Sequence, residues 1–337
     1  MNKRFTSLWR ALMLAAMFLF GPLDARADSC SASMTDIVFT GVNPTAGTDY
    51  YANGTLTVTC TWTALTGIPP LLLFPNVAVC VYLGTGSGGG TGNPRYMSSG
   101  GNQLSFNLYV DNTYSAASIW GGNGLPASSA YVSGTMTGLL ALGTFSRSIT
   151  IYGKIPGSAL AGVKTAGNAD TLYSASFAGF GSISYAFYGL IASPCTAGAT
   201  STFAFNAKAT VANNCLIDTG NLAFGSNSVL NSAVRSNAAM NVRCTANTSY
   251  QVSLGAGGSG DVSARTMRNA ATGETVAYRI SGTPDGAVWG DGSRGTAVVT
   301  GVGSGAVQTI TMYGQVPAQK TPSPGDYKDT VIATLVF

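Results

Sequence analysis

No histidine occurs in the chain, so a Ser–His–Asp triad and histidine-based metal sites are excluded. Paired carboxylates of the glycosidase kind need two acids in one site, and the acids of the first half are few and scattered. The run Gly84-Thr-Gly-Ser-Gly-Gly-Gly-Thr-Gly92 has the glycine content of a phosphate loop. It lacks the Lys-Ser/Thr pair and the helix that such a loop needs, and reads as a hairpin connection. The residues therefore read as those of a non-enzyme that calls for no cofactor and no metal. Disulfide chemistry remains. Six cysteines without a Cys-x-x-Cys motif read as three bridges in an exported protein, although six allow fifteen pairings. Cys30 and Cys60 frame one region and Cys215 and Cys244 a similar one, which leaves Cys80 and Cys195 for each other.

Export is legible at the N-terminus. Lys3, Arg4 and Arg10 precede the apolar run from Ala11 to Phe20, and Ala25-Arg26-Ala27 supplies a small-x-small cleavage site. Residues 1–27 read as a secretory signal peptide whose apolar core is too short for a stable membrane anchor. Removing Lys3, Arg4, Arg10 and Arg26 from 17 basic residues, and Asp24 from 13 acidic ones, leaves 13 against 12. So neutral a chain presents no basic face, and no nucleic-acid partner is expected. Between Asp28 and Ala199 the charges are Arg95, Arg147, Lys154 and Lys164 against Asp28, Asp36, Asp49, Asp111 and Asp170. A soluble monomer normally carries more, which points to surface contact or assembly.

Short runs rich in Val, Thr, Ile, Tyr and Phe alternate with Gly, Asn, Ser and Pro through both halves, without a long helical period after the leader. That pattern predicts an all-β protein of two β-sandwiches. The most regular run lies between Thr200 and Cys215, where Phe203, Phe205, Ala207, Ala209 and Val211 take every second position. A period of two predicts a strand that buries one face. By periodicity alone it is equally the first strand of a second domain or an inserted strand that completes another sheet.

An internal repeat flanks this run. The first copy contains Cys30, Leu56-Thr-Val-Thr-Cys60, Val77-Ala-Val-Cys-Val-Tyr-Leu-Gly84, Arg95-Tyr-Met97, Leu104-Ser-Phe-Asn-Leu-Tyr-Val-Asp111, Trp120-Gly121 and Ile149-Thr-Ile-Tyr-Gly-Lys-Ile-Pro156. The second contains Cys215, Met240-Asn-Val-Arg-Cys244, Tyr250-Gln-Val-Ser-Leu-Gly255, Thr266-Met-Arg268, Val276-Ala-Tyr-Arg-Ile-Ser281, Trp289-Gly-Asp-Gly292 and Ile310-Thr-Met-Tyr-Gly-Gln-Val-Pro317. It closes on Pro324-Gly-Asp-Tyr-Lys-Asp-Thr-Val-Ile-Ala-Thr-Leu-Val-Phe337.

Together these motifs resemble the spore coat protein U domain, the pilin module of archaic chaperone–usher pili, closely over 213–337 and more loosely over 28–192. The resemblance implies immunoglobulin-like sandwiches, the C-terminal one lacking its last strand. A missing strand leaves an open sheet edge and a core without a lid. In such pilins a periplasmic chaperone fills the gap first, and the N-terminal extension of an adjacent subunit fills it later. The implied partners are a periplasmic pilus chaperone, an outer-membrane usher and an adjacent pilin that supplies a donor strand. In that family the donor extension precedes the first cysteine, whereas here Asp28 and Ser29 alone would precede Cys30. A donor-like segment lies instead within the chain at 201–211. The expected layout is thus a leader over 1–27, an adhesin domain over 28–199, a linker and donor-like strand over 200–212 completing that domain in cis, and a pilin domain over 213–337. Its last strand would present Val331, Ala333, Leu335 and Phe337 to a chaperone or subunit.

The two-domain layout resembles the tip adhesin of archaic pili, which implies a binding surface on the first domain and display at the cell surface after passage through the periplasm. The first copy is enlarged twice. From Cys60 to Gly84 there are 24 positions, against 11 from Cys244 to Gly255. The surplus holds Ile68, Pro69, Pro70, Leu71, Leu72, Leu73 and Phe74, followed by Pro75. A buried strand rarely carries three such prolines, and a proline-stiffened loop loses little entropy on being presented. From Trp120 to Tyr152 there are 32 positions, against 24 from Trp289 to Tyr313, and the excess includes Leu125, Met136, Leu139 and Leu140. The expected activity is attachment to abiotic or host surfaces, and biofilm formation, by burial of apolar loop surface at about 25 cal/mol per Å². A carbohydrate-binding tip lectin and a structural pilin or coat protein are the alternatives.

Overall fold

The computed structural model describes residues 28–62, 76–122, 131–137, 143–188, 191 and 193–337. The described residues are built on strands, with short 3-10 turns between some of them. The first half holds β1 (Ser29–Met34), β2 (Ile37–Val42), β3 (Tyr50–Trp62), β4 (Asn76–Leu83), β5 (Arg95–Ser99), β6 (Asn102–Tyr109), β7 (Val132–Thr137), β8 (Gly143–Ile155), β9 (Thr171–Ser176), β10 (Gly181–Tyr188), β11 (Ala199–Phe203) and β12 (Asn206–Val211). The second holds β13 (Cys215–Thr219), β14 (Val234–Cys244), β15 (Ser249–Leu254), β16 (Thr266–Arg268), β17 (Thr275–Ala277), β18 (Arg279–Ser281), β19 (Val299–Val302), β20 (Gln308–Val316) and β21 (Ala333–Val336).

Two sandwiches result, each around its own apolar core. In the first, a sheet of order β1-β3-β8-β6-β5-β9-β12-β2 packs on a sheet of order β11-β10-β4-β7. In the second, β13-β14-β20-β18 packs on β19-β15-β21, with β16 and β17 as a hairpin beside them. Alternation places every second side chain inside: Leu56, Val58, Cys60 and Trp62 along β3, and Met240, Val242 and Cys244 along β14, are buried.

The repeat is exact in register. Cys30 faces Cys60 as Cys215 faces Cys244, and both pairs are bonded. Leu56 faces Ile149 as Met240 faces Ile310. Trp120 and Trp289 are both buried, and their indole N–H groups donate to the carbonyls of Val81 and Val252 at 3.0 and 2.9 Å. The arginine–methionine segments match one residue earlier than their sequence similarity suggests. Met97 faces Leu104 and Met267 faces Val276, so the partner of Arg95 is Arg265 and the segment over 266–268 is displaced by one.

The sandwiches meet through a polar junction. The Thr165 N–H donates to the Ala246 carbonyl at 3.1 Å, and Asn168 exchanges two hydrogen bonds with the Ser249 backbone at 2.9 and 3.1 Å. Asn247 Nδ2 donates to the Thr165 carbonyl at 3.1 Å, and Asn214 Nδ2 to Thr45 Oγ1 at 3.0 Å. Thr165 and Thr248 are buried there with their hydroxyls 3.2 Å apart.

Candidate functional site: a filled slot and an open one

The alternating run over 199–211 is not one strand but two, and both belong to the first sandwich. β11 pairs with β10 at the edge of the smaller sheet, and β12 lies between β9, antiparallel, and β2, parallel. The chain changes sheet at Ala204 and Phe205 without losing its alternation: Phe203, Phe205, Ala207, Ala209 and Val211 are all buried. Phe205 stacks on Phe177 with centroids 4.5 Å apart, and Phe203 stacks on Trp120 at 6.2 Å. Gly181 permits that seat, because a Cβ there would stand 2.9 Å from the Phe203 ring. A polar clasp holds the start of β12. Asp36 accepts from the Asn206 backbone N–H at 2.7 Å and from Lys208 Nζ at 2.6 Å, and the Lys208 bond is the main cause that holds its carboxyl below the ordinary aspartate value. Cys80–Cys195 fastens the approach to β11 onto β4.

The same place in the second sandwich can be located from two matched contacts. The Gly255 N–H donates to the Ile332 carbonyl at 2.8 Å, as the Gly84 N–H donates to Phe180 at 2.7 Å, so β21 is the counterpart of β10. A Cβ on Gly314 would meet Leu222 and Phe224, as one on Gly153 would meet Ile37 and Phe39, so residues 222–224 are the counterpart of β2. No described strand pairs with the far edge of β21, where β11 lies in the first copy. The segment 221–228, lacking a ladder partner, is not a strand. Burial follows suit: Ile37 and Phe39 are fully covered, whereas Leu222, Phe224, Tyr327, Val331, Ala333 and Leu335 are half-buried against the core and Phe337 is exposed. The one-sided pattern of the last strand is present, with Ile332 71% and Val336 58% exposed on its other face.

Each sandwich also buries an arginine, bonded at the end of β4 in the first and of β15 in the second. Arg95 Nε donates to Gly84 O at 2.9 Å, with further bonds to Leu83 O, Gly92 O, Asn107 Oδ1 and Trp120 O. Arg265 repeats the first two, to Gly255 O at 2.8 Å and Leu254 O at 2.9 Å, but its Nη1 has no partner. Burial pulls the Arg95 guanidinium down to about 10 and lowers Arg265 as well. The signal for both was in plain view as Arg95-Tyr-Met97 and Arg265-Thr-Met267. The Asp36 clasp, by contrast, joins residues some 170 positions apart and had no local mark.

Of the apolar loop residues, Ile68, Pro69, Pro70, Leu71, Leu72, Leu73, Phe74, Leu125, Leu139 and Leu140 lie outside the described residues, and Met136 is placed by its backbone alone, opposite Val77 in β7. Their flanks are described. Trp62 faces Gly143, and Asn76 faces both Thr137 and Tyr188, so the strand ends bracketing 63–75 and 138–142 share one pole. It is the pole remote from the junction, which β3 and β8 approach with Tyr50 and Ile155. The segment 123–130 joins β7 at its opposite end, near Val132. Ile191, close behind Tyr188, is 86% exposed.

Two copies of one sandwich, the first closed by a strand from further along the chain and the second open at the same edge, define a duplicated β-sandwich protein of unequal halves. The chain belongs to the Spore Coat Protein U domain family, whose sequence model matches residues 16–173 and 201–334. Protein U of Myxococcus xanthus is 31% identical over 156 residues, which cover 41% of this chain and 86% of that protein. Among solved structures, the chaperone–tip adhesion subunit pre-assembly complex from the archaic chaperone-usher Csu pili of Acinetobacter baumannii is similar at 16% identity and a TM-score of 0.49, over 92% of this chain and 100% of that one. A chaperone–tip adhesin complex of CFA/I fimbriae is similar at 11% identity and a TM-score of 0.34, over 91% and 97%.

Proposed function

We propose that this chain is the tip adhesin of an archaic chaperone–usher pilus. The observation that carries the reading is the contrast between the two slots. In the first sandwich the segment 199–212 acts as a built-in complementing strand, so that domain needs no partner to fold. In the second, the free edge of β21 and the half-covered Leu222, Phe224, Ala333 and Leu335 form an acceptor for a donated strand. A periplasmic chaperone occupies it first, and an adjacent pilin takes over at the outer-membrane usher. The boundaries 28–199, 200–212 and 213–337 divide adhesin, donor-like strand and pilin module, and residues 1–27 direct export. A donor-like strand used in cis is not free for another subunit, which suits the distal end of a fibre.

The remote pole of the first sandwich then faces outward. Exposed Ile191 and the strand ends that bracket 63–75 and 138–142 support an apolar contact surface there. Attachment to abiotic or host surfaces, and with it biofilm formation, follows from burying these loops, multiplied by the number of fibres. Two experiments test the reading. Expressed in the periplasm, 28–212 should be soluble and monomeric alone, while 213–337 should require the chaperone; a chaperone requirement for 28–212 removes the in-cis strand. In a correctly piliated strain, replacing Leu71, Leu72 and Phe74 by Ser should abolish attachment to plastic. Undiminished attachment rules these loops out as the adhesive element.

A further inference from the structure

We propose a second binding site on the side of the first sandwich, one that takes a hexopyranose unit of a surface polysaccharide and is built by Tyr51, Tyr114 and Tyr152 with Asp49 and Lys154. The Tyr114 ring lies 4.8 Å from Tyr51, 5.3 Å from Tyr109 and 6.2 Å from Tyr152, so the hairpin after β6 lays one ring across a tyrosine cluster on the outer face of β3 and β8. Tyr114 is held at φ 52°, a left-handed conformation that a bulky residue adopts only against resistance. Tyr51 is 54% exposed. Lys154 Nζ stands 5.7 Å over the Tyr51 ring and 2.7 Å from Asp49, which also accepts from the Tyr51 hydroxyl at 3.2 Å.

The repeat shows that the fold does not need this cluster. Tyr51 faces Lys154 in the first sandwich, and Arg235 faces Gln315 at the same point of the second. There Arg235, Arg279 and Gln315 gather on Asp285 as an ordinary solvated ion-pair group. The first sandwich has put exposed Tyr51 and the half-buried rings of Tyr114 and Tyr152 in that place, and has kept two of its few charges beside them. Rings with an adjoining carboxylate and ammonium match a sugar: its C–H face stacks on a tyrosine while its hydroxyls bond to Asp49 and Lys154. Asp49 Oδ1 also accepts from the Gly157 backbone N–H at 2.8 Å, which fixes the carboxylate in place beside the rings. This site lies toward the junction, away from the apolar pole, and does not depend on the adhesin reading.

The test uses the full chain on an array of neutral, amino and acidic hexopyranose oligosaccharides, followed by saturation-transfer NMR with each saccharide that binds. At least one should bind, with the strongest transfer from the C–H face of the ring. Tyr51→Arg, the residue of the second copy, should weaken it about tenfold, the size of a lost stacking contact. Tyr114→Asn, which suits the left-handed backbone, should do the same with an unchanged melting temperature. No binding by the native chain across the array, or binding that survives both substitutions, overturns the site.

Discussion

The two sandwiches share one register down to single residue pairs, yet one is closed and the other is open. Ile37 and Phe39 are buried in a strand paired to β12, while Leu222 and Phe224, on the matching glycine, stay half-exposed. The difference is where a strand comes from. β11 and β12 reach the first slot because the chain continues past β10, through the anchor at Cys195, before it enters the second sandwich. No described strand takes the matching place beside β21. The comparison teaches that closure is a separate part of this fold: the second copy keeps the register of the first with no described strand in that place.

The strongest way to break the comparison is to unseat the strand. Phe205→Ala removes a ring buried between Phe177 and Trp120, and should destabilise the first sandwich by about 3–5 kcal/mol. Calorimetry of the full chain should show the first transition falling while the second stays put; a joint fall would mean that the sandwiches unfold as one. The buried arginines come next. Arg95→Met strands several carbonyls and should cost about 2–4 kcal/mol, whereas Arg265→Met removes fewer bonds and an unpartnered Nη1, and should cost about half as much. Equal losses in urea titrations of the two variants would show that the extra partners of Arg95 contribute nothing.

The smallest effect is the share that Asp36 contributes to the acid sensitivity of the closed copy. Asp36 is lowered from the ordinary value of 3.8, chiefly by the hydrogen bond from Lys208. A depressed carboxyl stabilises the fold above its unfolded value and loses that contribution as pH falls through its folded one. The first sandwich should therefore weaken below about pH 3.8, by roughly 1 kcal/mol for one partly exposed clasp. Asp36→Asn should lower stability at neutral pH and flatten that acid limb. An unchanged limb would assign the acid sensitivity to other carboxylates.

Much of this was legible beforehand. The repeat, the cysteine frames and the period of two gave an all-β protein in two copies, because burying one face of a sheet forces alternation wherever a strand runs. The alternation over 203–211 even survived a change of sheet that periodicity could not foresee. What misled the alignment at Arg265 was local similarity; cross-strand partners, not neighbours in sequence, set the register.

The sequence by itself determined the strands, their inward faces and the existence of two related halves, since each is written in the order of residue types along the chain. Only the tertiary structure decided which copy owns the strand at 199–211, that Asp36 and Lys208 clasp it, and that Tyr51 and Tyr114 share one surface. Those are pairings between residues far apart in the chain. An alternating strand has the same pattern whichever sheet it completes, so its place is settled by the geometry of the slot and not by its own residues.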